Sequence, residues 1–202
     1  QQRYQFNTPT TVTYDRDTLG QGAAGARVYV ADMGNHEIKV LNLNGALIGR
    51  LDDGDQTLAA DRPASAVPDI RAPLGLAFLS PVADDARLAG LYGNDVGRHQ
   101  IHFFRTVSGA AGDFEYVTSF GQPGHGGGED IYLPRNMTIT PQGFIYVSDE
   151  FNHRVKAFSI DPDNGYQVSL IQTLGHQNGS GDYVGAGPII RGVDKNYGSD
   201  SS

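Results

Sequence analysis

The sequence predicts an all-β fold built of repeated four-stranded units, and three observations predict it. Three segments align without gaps on a shared pattern of Tyr, Asp, His and apolar residues. Each follows a proline-led apolar segment and precedes a further short apolar run that ends in a turn. Short apolar runs bounded by Gly, Asn and Asp are strand signals, and no segment carries a convincing helical period. Repetition of this kind marks an architecture in which each unit buries its faces on its neighbours.

The aligned segments run from Tyr29 to Leu41, from Tyr92 to Phe104 and from Tyr146 to Phe158. Asp32, Asp95 and Asp149 stand at one equivalent position, and His36, His99 and His153 stand four residues later. Each unit reads as strands a to d. Strand a follows Pro9, Pro73 or Pro134, because the first residue of a strand needs no ladder donor. Strand b ends in the Asp, and strand c follows the His. Strand d covers Ala46–Leu51, Tyr116–Phe120 and Val168–Leu174, the last two closing on Gly121 and Gly175. The units span about 6–54, 70–121 and 132–175 of one 202-residue domain, and Gly187-Pro188-Ile189-Ile190 opens a partial fourth at 187–202.

Four-stranded units repeated in this way are the blades of a β-propeller. Tyr29-Val30-Ala31-Asp32, with Asn35-His36 and Ile38, resembles the NHL repeat family. The third unit is most similar to it, through Pro134, Gly143, Tyr146-Val147-Ser148-Asp149 and Asn152-His153-Arg154-Val155. The second departs most, with Gly93, Asn94 and Arg98 in place of Val, Ala and Asn. The resemblance covers about residues 6–175 and implies a propeller of NHL-like blades. Three blades and a start do not close a ring of four to eight. The expectation is therefore a longer parent, or closure by association, for example as three blades plus three.

The repeated residues are read as structural. A residue present in every blade answers a need of every blade. Asp32, Asp95 and Asp149 are expected to accept the amides of their tight b-to-c turns. His36, His99 and His153 are expected to bridge to backbone or to that Asp, rather than converge as a three-His zinc site. Tyr29, Tyr92 and Tyr146 are expected to pack between blades with a polar tip. Lys39, His102 and Lys156 are expected on the outward face of strand c.

The candidate binding residues lie in the loops. The d-to-a connections run from Asp52 to Asp69, Gln122 to Asp130 and His176 to Ala186. The a-to-b connections Asp15 to Ala26 and Ser80 to Gly90 are also long, and loops on a rigid scaffold carry binding. His125, Glu129 and Asp130 form the one candidate metal set, suited to calcium or zinc, although no cofactor is expected. Asp52-Asp53-Gly54-Asp55 is not an EF-hand start, because Pro63 stands where the bidentate Glu is required. Asn136-Met137-Thr138 and Asn178-Gly179-Ser180 match the glycosylation pattern, the first within a predicted strand.

Composition narrows the function classes. The net charge is −8 and lysines number only three, Lys39, Lys156 and Lys195, which argues against nucleic-acid binding. No apolar run approaches the roughly 18 residues of a membrane helix. Cys is absent, which excludes disulfides, thiolate metal sites and thiol nucleophiles. P-loop, G-x-S-x-G and HExxH motifs are absent too. The expectation is a non-enzymatic interaction or scaffold module at the cell surface or outside the cell. A protein partner or self-association is expected, with no nucleic acid and no membrane insertion. The repeats are also similar to those of the peptidyl-hydroxyglycine amidating lyases and of calcium-dependent propeller lactonases. That resemblance implies a metal-dependent enzyme as the alternative.

Overall fold

The computed structural model describes residues 5–15, 26–51, 69–80, 85–106 and 114–175. Most of three long connections, the partial repeat 187–202 and Asn178 lie outside the described residues. Three four-stranded antiparallel sheets follow one another in the chain. The first comprises β1 (Pro9–Asp15), β2 (Arg27–Asp32), β3 (Glu37–Asn42) and β4 (Leu47–Leu51). The second comprises β5 (Pro73–Leu79), β6 (Gly90–Asp95), β7 (Gln100–Thr106) and β8 (Phe114–Phe120). A short parallel pair, β9 (Gln122–Pro123) and β10 (Asp130–Ile131), bridges the connection to the third. The third comprises β11 (Pro134–Ile139), β12 (Ile145–Asp149), β13 (Arg154–Asp161) and β14 (Gln167–Leu174). Each sheet is a meander in sequence order, as short connections dictate.

The repeat extends to the irregularities. The register slips just after the proline in all three first strands, at Pro9/Thr11, Pro73/Leu76 and Pro134/Met137. It slips again between the third and fourth strands, at Val40/Leu41, Phe103/Phe104 and Ala157/Phe158. A bulge adds local twist and bends its strand, so repetition at fixed positions gives each sheet the same shape. Gly121 closes β8 at φ 94°, where a Cβ would stand 2.8 Å from the His99 carbonyl. Gly175 follows β14 at φ 75°, with the equivalent distance to the His153 carbonyl at 3.1 Å. Only glycine fits where strand d passes beneath the turn of its own sheet.

The sheets stack face to face. Tyr29, Ile38, Val40, Leu51, Leu76, Leu91, Phe104 and Phe114 form a core between the first and second. Tyr92, Ile101, Phe103, Phe120, Met137, Ile145, Val147 and Phe158 form one between the second and third. The first strands adjoin one another, β1 against β5 and β5 against β11. The second sheet is therefore covered on both faces, which gives β6 an unbroken buried run from Gly90 to Asp95.

Two sequence expectations are adjusted by this packing. Lys39, His102 and Lys156 do not face outward; they are 1%, 1% and 0% exposed. Asp32 and Glu37 cover Lys39 and the 128–130 connection covers Lys156, so alternation along the third strand no longer separates inside from outside. Tyr29 and Tyr92 are fully buried against the following sheet, whereas Tyr146 at the same position is half-buried. Among the described residues no sheet follows the third.

Candidate functional site

The b-to-c turns and the segments leading into strand a lie at one end of the sheets, because each sheet is an antiparallel meander. In the first and third sheets the turn is a short 3₁₀ stretch, Met33–Asn35 and Glu150–Asn152. The histidine closes each turn in a left-handed conformation, with φ 59° at His36, 59° at His99 and 51° at His153. A non-glycine residue there costs free energy, so something must hold each imidazole in place.

Each Asp holds the segment that leads into its own sheet. Asp32 Oδ1 accepts from the Asn7 amide at 2.7 Å, Asp95 Oδ2 from Arg71 at 2.7 Å and Asp149 Oδ1 from Tyr132 at 2.6 Å. All three donors stand two residues before the strand-a proline. Asp95 also accepts from Ala72 and from Gly97 in its own turn, both at 2.9 Å. Asp32 and Asp149 instead accept the side-chain amides of Asn35 and Asn152. Those asparagines reach back to Gln5 and Gly124 carbonyls. Arg98 replaces the asparagine in the second sheet and makes the same reach, donating to the Asp69 carbonyl at 2.5 Å and pairing with the Asp69 carboxylate.

The histidines reach forward to the next sheet. His36 Nδ1 donates to the Arg71 carbonyl, and His99 Nδ1 accepts from the Leu133 amide at 2.9 Å. The two rings thus hold different tautomers. Burial lowers the His99 imidazole below its ordinary value, against the opposing fields of Asp95 and Asp149. A neutral ring is the form that accepts from an amide. Each lead-in segment of the second and third sheets is therefore held by its own Asp and by the preceding sheet's His.

The third-strand basic residues sit beneath these carboxylates. Lys39 pairs with Asp32 and Glu37. Burial pushes the Asp32 carboxyl up, but Lys39, the Asn7 amide and Asn35 outweigh it and hold it below the usual value. His102 stands 3.6 Å from Asp95, too far for a hydrogen bond. Burial also raises Asp95, and His102 with the Arg71 and Ala72 amides brings it below the usual value. Lys156 donates to the Gly128 and Asp130 carbonyls at 2.9 and 2.6 Å. Burial, with the nearby Arg154, pushes its amine down to about 8 against the pull of Asp149, Asp130 and Glu129.

His125, Glu129 and Asp130 do not gather round one point. His125 Nδ1 bonds Asn152 Oδ1 at 2.7 Å. Asp130 accepts from the Gly126 amide and from Gln122, and Glu129 faces the Gly121 amide at 3.4 Å. Among the described residues no group of three or more His, Asp or Glu is placed to hold a metal ion.

The junction of the second and third sheets carries a feature the repeat does not. Tyr132 is sandwiched between His99 and His125, each ring 4.7 Å away, and meets Phe151 edge-on at 5.9 Å. Phe151 is 55% exposed, and the Arg135–Glu150 ion pair lies beside it at 2.8 Å. Asn94 crosses the same junction beneath, accepting from the Gly75 amide and donating to the Pro134 carbonyl at 2.8 Å. Tyr132, Phe151 and Asn94 carry no local motif. Asn94 and Arg98 had signalled themselves only as departures from the repeat.

No protein-family model matches the chain, and no curated protein matches it. Solved structures do. A protein from Lactobacillus plantarum superposes with a TM-score of 0.53 at 14% identity, over 82% of this chain and 41% of its own. A Desulfotomaculum acetoxidans protein of unknown function gives 0.51 at 12%, over 83% and 42%. A Bacteroides fragilis protein provisionally named a 6-phosphogluconolactonase gives 0.52 at 15%, over 81% and 38%. The chain spans about two fifths of the length of these structures. At such identities the likeness speaks to fold alone. It is a β-propeller-like fold of four-stranded antiparallel sheets.

Proposed function

We propose that the protein is a non-enzymatic interaction module of NHL-like blades, set outside the cell or at its surface. It presents the end that carries the b-to-c turns to a protein partner. The exposed group around Phe151, Tyr132 and His125 carries this reading. It lies on the b-to-c turn of the third sheet and the connection leading into it, repeats in no other blade, and joins apolar and hydrogen-bonding surface as contact residues do. The repeated Asp and His side chains support the reading from the other side. Their bonds run to backbone within and between blades, as parts of joints rather than as an acid, base and nucleophile set.

The alternative is a metal-dependent propeller enzyme, resembling an amidating lyase or a calcium-dependent lactonase. The provisional name of the Bacteroides fragilis neighbour favours it. One experiment separates the two. The protein is stripped with chelator, loaded with calcium or zinc, and followed by thermal unfolding and by hydrolysis of a lactone series. The module reading expects an unchanged midpoint and no turnover. A stoichiometric metal that raises the midpoint and supports turnover replaces it with the enzyme reading.

A further inference from the structure

Two of the repeated histidines take a proton with opposite results. His36 Nδ1 donates to the Arg71 carbonyl, so a second proton enters at Nε2 and the bond survives. His99 Nδ1 accepts from the Leu133 amide at 2.9 Å, so its Nε2 already carries the hydrogen. The nitrogen open to a second proton is then the nitrogen that holds the next sheet. A proton there sets N–H against N–H, and the bond breaks.

The segment held by this bond is strained. Leu133 sits at φ 55°, a left-handed conformation that disfavours a bulky side chain. Tyr132, one residue before, stacks on His99 at 4.7 Å and 19°. Its other face meets His125 at 4.7 Å, and Phe151, 55% exposed, lies against its edge. His125 Nδ1 bonds Asn152 Oδ1 at 2.7 Å, while Asn152 Nδ2 donates to Gly124 and Asp149. His125 is therefore the donor and, like His36, takes a proton at Nε2 without losing its bond.

Asp95 from its own turn and Asp149 from the third sheet favour a charged His99 ring. Tyr132 and, beyond it, His125 face the ring from the connection, and the Gly121 backbone closes in from the end of β8. Arg98, next in the turn, is drawn away to Asp69. Burial outweighs the two carboxylates and lowers the imidazole below 6.5. A lowered histidine contributes stability above its ordinary value and loses it as pH falls below, so the His99 bond is whole above pH 6.5 and fails in acid.

We propose that acidification releases the third sheet's lead-in from His99 and unlatches the contact group around Tyr132 and Phe151, while the His36 joint between the first and second sheets stays closed. This regulation rests on the interaction reading above. The contact group is formed at neutral pH and reshaped in acid, as a histidine switch at an interface acts. The freed segment relaxes out of the left-handed region at Leu133. Asp149 still accepts from the Tyr132 amide at 2.6 Å, so the change is a local opening and not an unfolding of the sheet.

Amide hydrogen exchange of the 202-residue protein at pH 7 and pH 5, divided by the intrinsic rates, tests this. The Leu133 amide is expected to lose about five- to tenfold in protection at pH 5, as one lost hydrogen bond gives. The Ala72 amide, in the peptide group that His36 holds, is expected to keep its protection. The ring signals of Tyr132 and Phe151 are expected to move along the His99 titration curve. His99→Gln retains an acceptor and removes the titration, so its Leu133 amide is expected to stay protected at both values. Constant Leu133 protection in the wild type overturns the proposal. So does an equal loss at Ala72, an equal loss in His99→Gln, or an opening that the Tyr132 and Phe151 rings do not follow. Any of these leaves the interaction reading standing, since that reading falls only with metal-supported turnover.

Discussion

Asp95→Ala is expected to lower the unfolding free energy by about 3–5 kcal/mol, read from urea denaturation. Asp95 is fully buried and accepts from the Arg71, Ala72 and Gly97 amides. Removing the carboxylate strands these donors at once and leaves His102 beside an empty site. Each stranded buried donor costs about 1–3 kcal/mol, and water reaches some of them, so the sum falls in the stated range. His99→Ala removes one half-buried bond to Leu133 and is expected to cost about 1 kcal/mol. The comparison decides what holds a blade in place: the Asp fixes the lead-in segment, and the His aligns the next blade on it. Against a total stability of about 5–15 kcal/mol, the first variant loses a large share and the second a small one. A loss below 1 kcal/mol for Asp95→Ala contradicts this account.

Lys39→Met and Lys156→Met are expected to differ sharply although the two lysines are equivalent. Lys39→Met leaves Asp32 and Glu37 buried without their ammonium, with Arg50 3.4 Å from Glu37. Breaking one side of a buried ion pair costs about 3 kcal/mol or more. Lys156 serves carbonyls of the 121–131 connection, and water can replace it there. Its removal also relieves the burial of a charge, so Lys156→Met is expected to be neutral or about 1 kcal/mol stabilising at pH 7. The pH dependence carries the sign. The Lys156 amine sits at about 8 in the folded chain and at 10.5 as the ordinary value. Between those values the unfolded chain binds the extra proton, so stability rises with pH across that window and the gain is absent below it. The full difference amounts to about 3 kcal/mol. Denaturation curves at pH 7, 8.5 and 10 are expected to show this contribution in the wild type and not in Lys156→Met. A Lys156→Met loss as large as that of Lys39→Met overturns the distinction.

The strands were legible because each unit punctuates itself, with a proline at the start of strand a, an Asp at the end of strand b and a glycine after β8 and β14. The partners of the repeated residues were not. The Asp was expected to serve its turn, yet its repeated partner is an amide 17 to 25 residues upstream. The His reaches 34 or 35 residues downstream, beyond any local pattern. Lys39, His102 and Lys156 were misplaced because alternation does not show where distant residues cover a face, as Asp32 and Glu37 cover Lys39 and the 128–130 connection covers Lys156. The signal that finds them is the fixed spacing of seven from Asp32, Asp95 and Asp149, an acid and a base recurring together. The Tyr132 sandwich was invisible because its three rings come from two blades and a connection.

The central claim is that the repeated histidines are joints between blades. A nitrogen-15 spectrum of the six histidines, recorded from pH 5 to 8 with and without zinc, tests it most directly. The account predicts the Nδ1–H tautomer at His36 and an unprotonated Nδ1 at His99, with His99 titrating below 6.5 and neither ring shifting on zinc addition. Titration of His99 at or above 6.5, or zinc-induced shifts at His36, His99 and His153 together, contradicts it and returns these residues to a metal site.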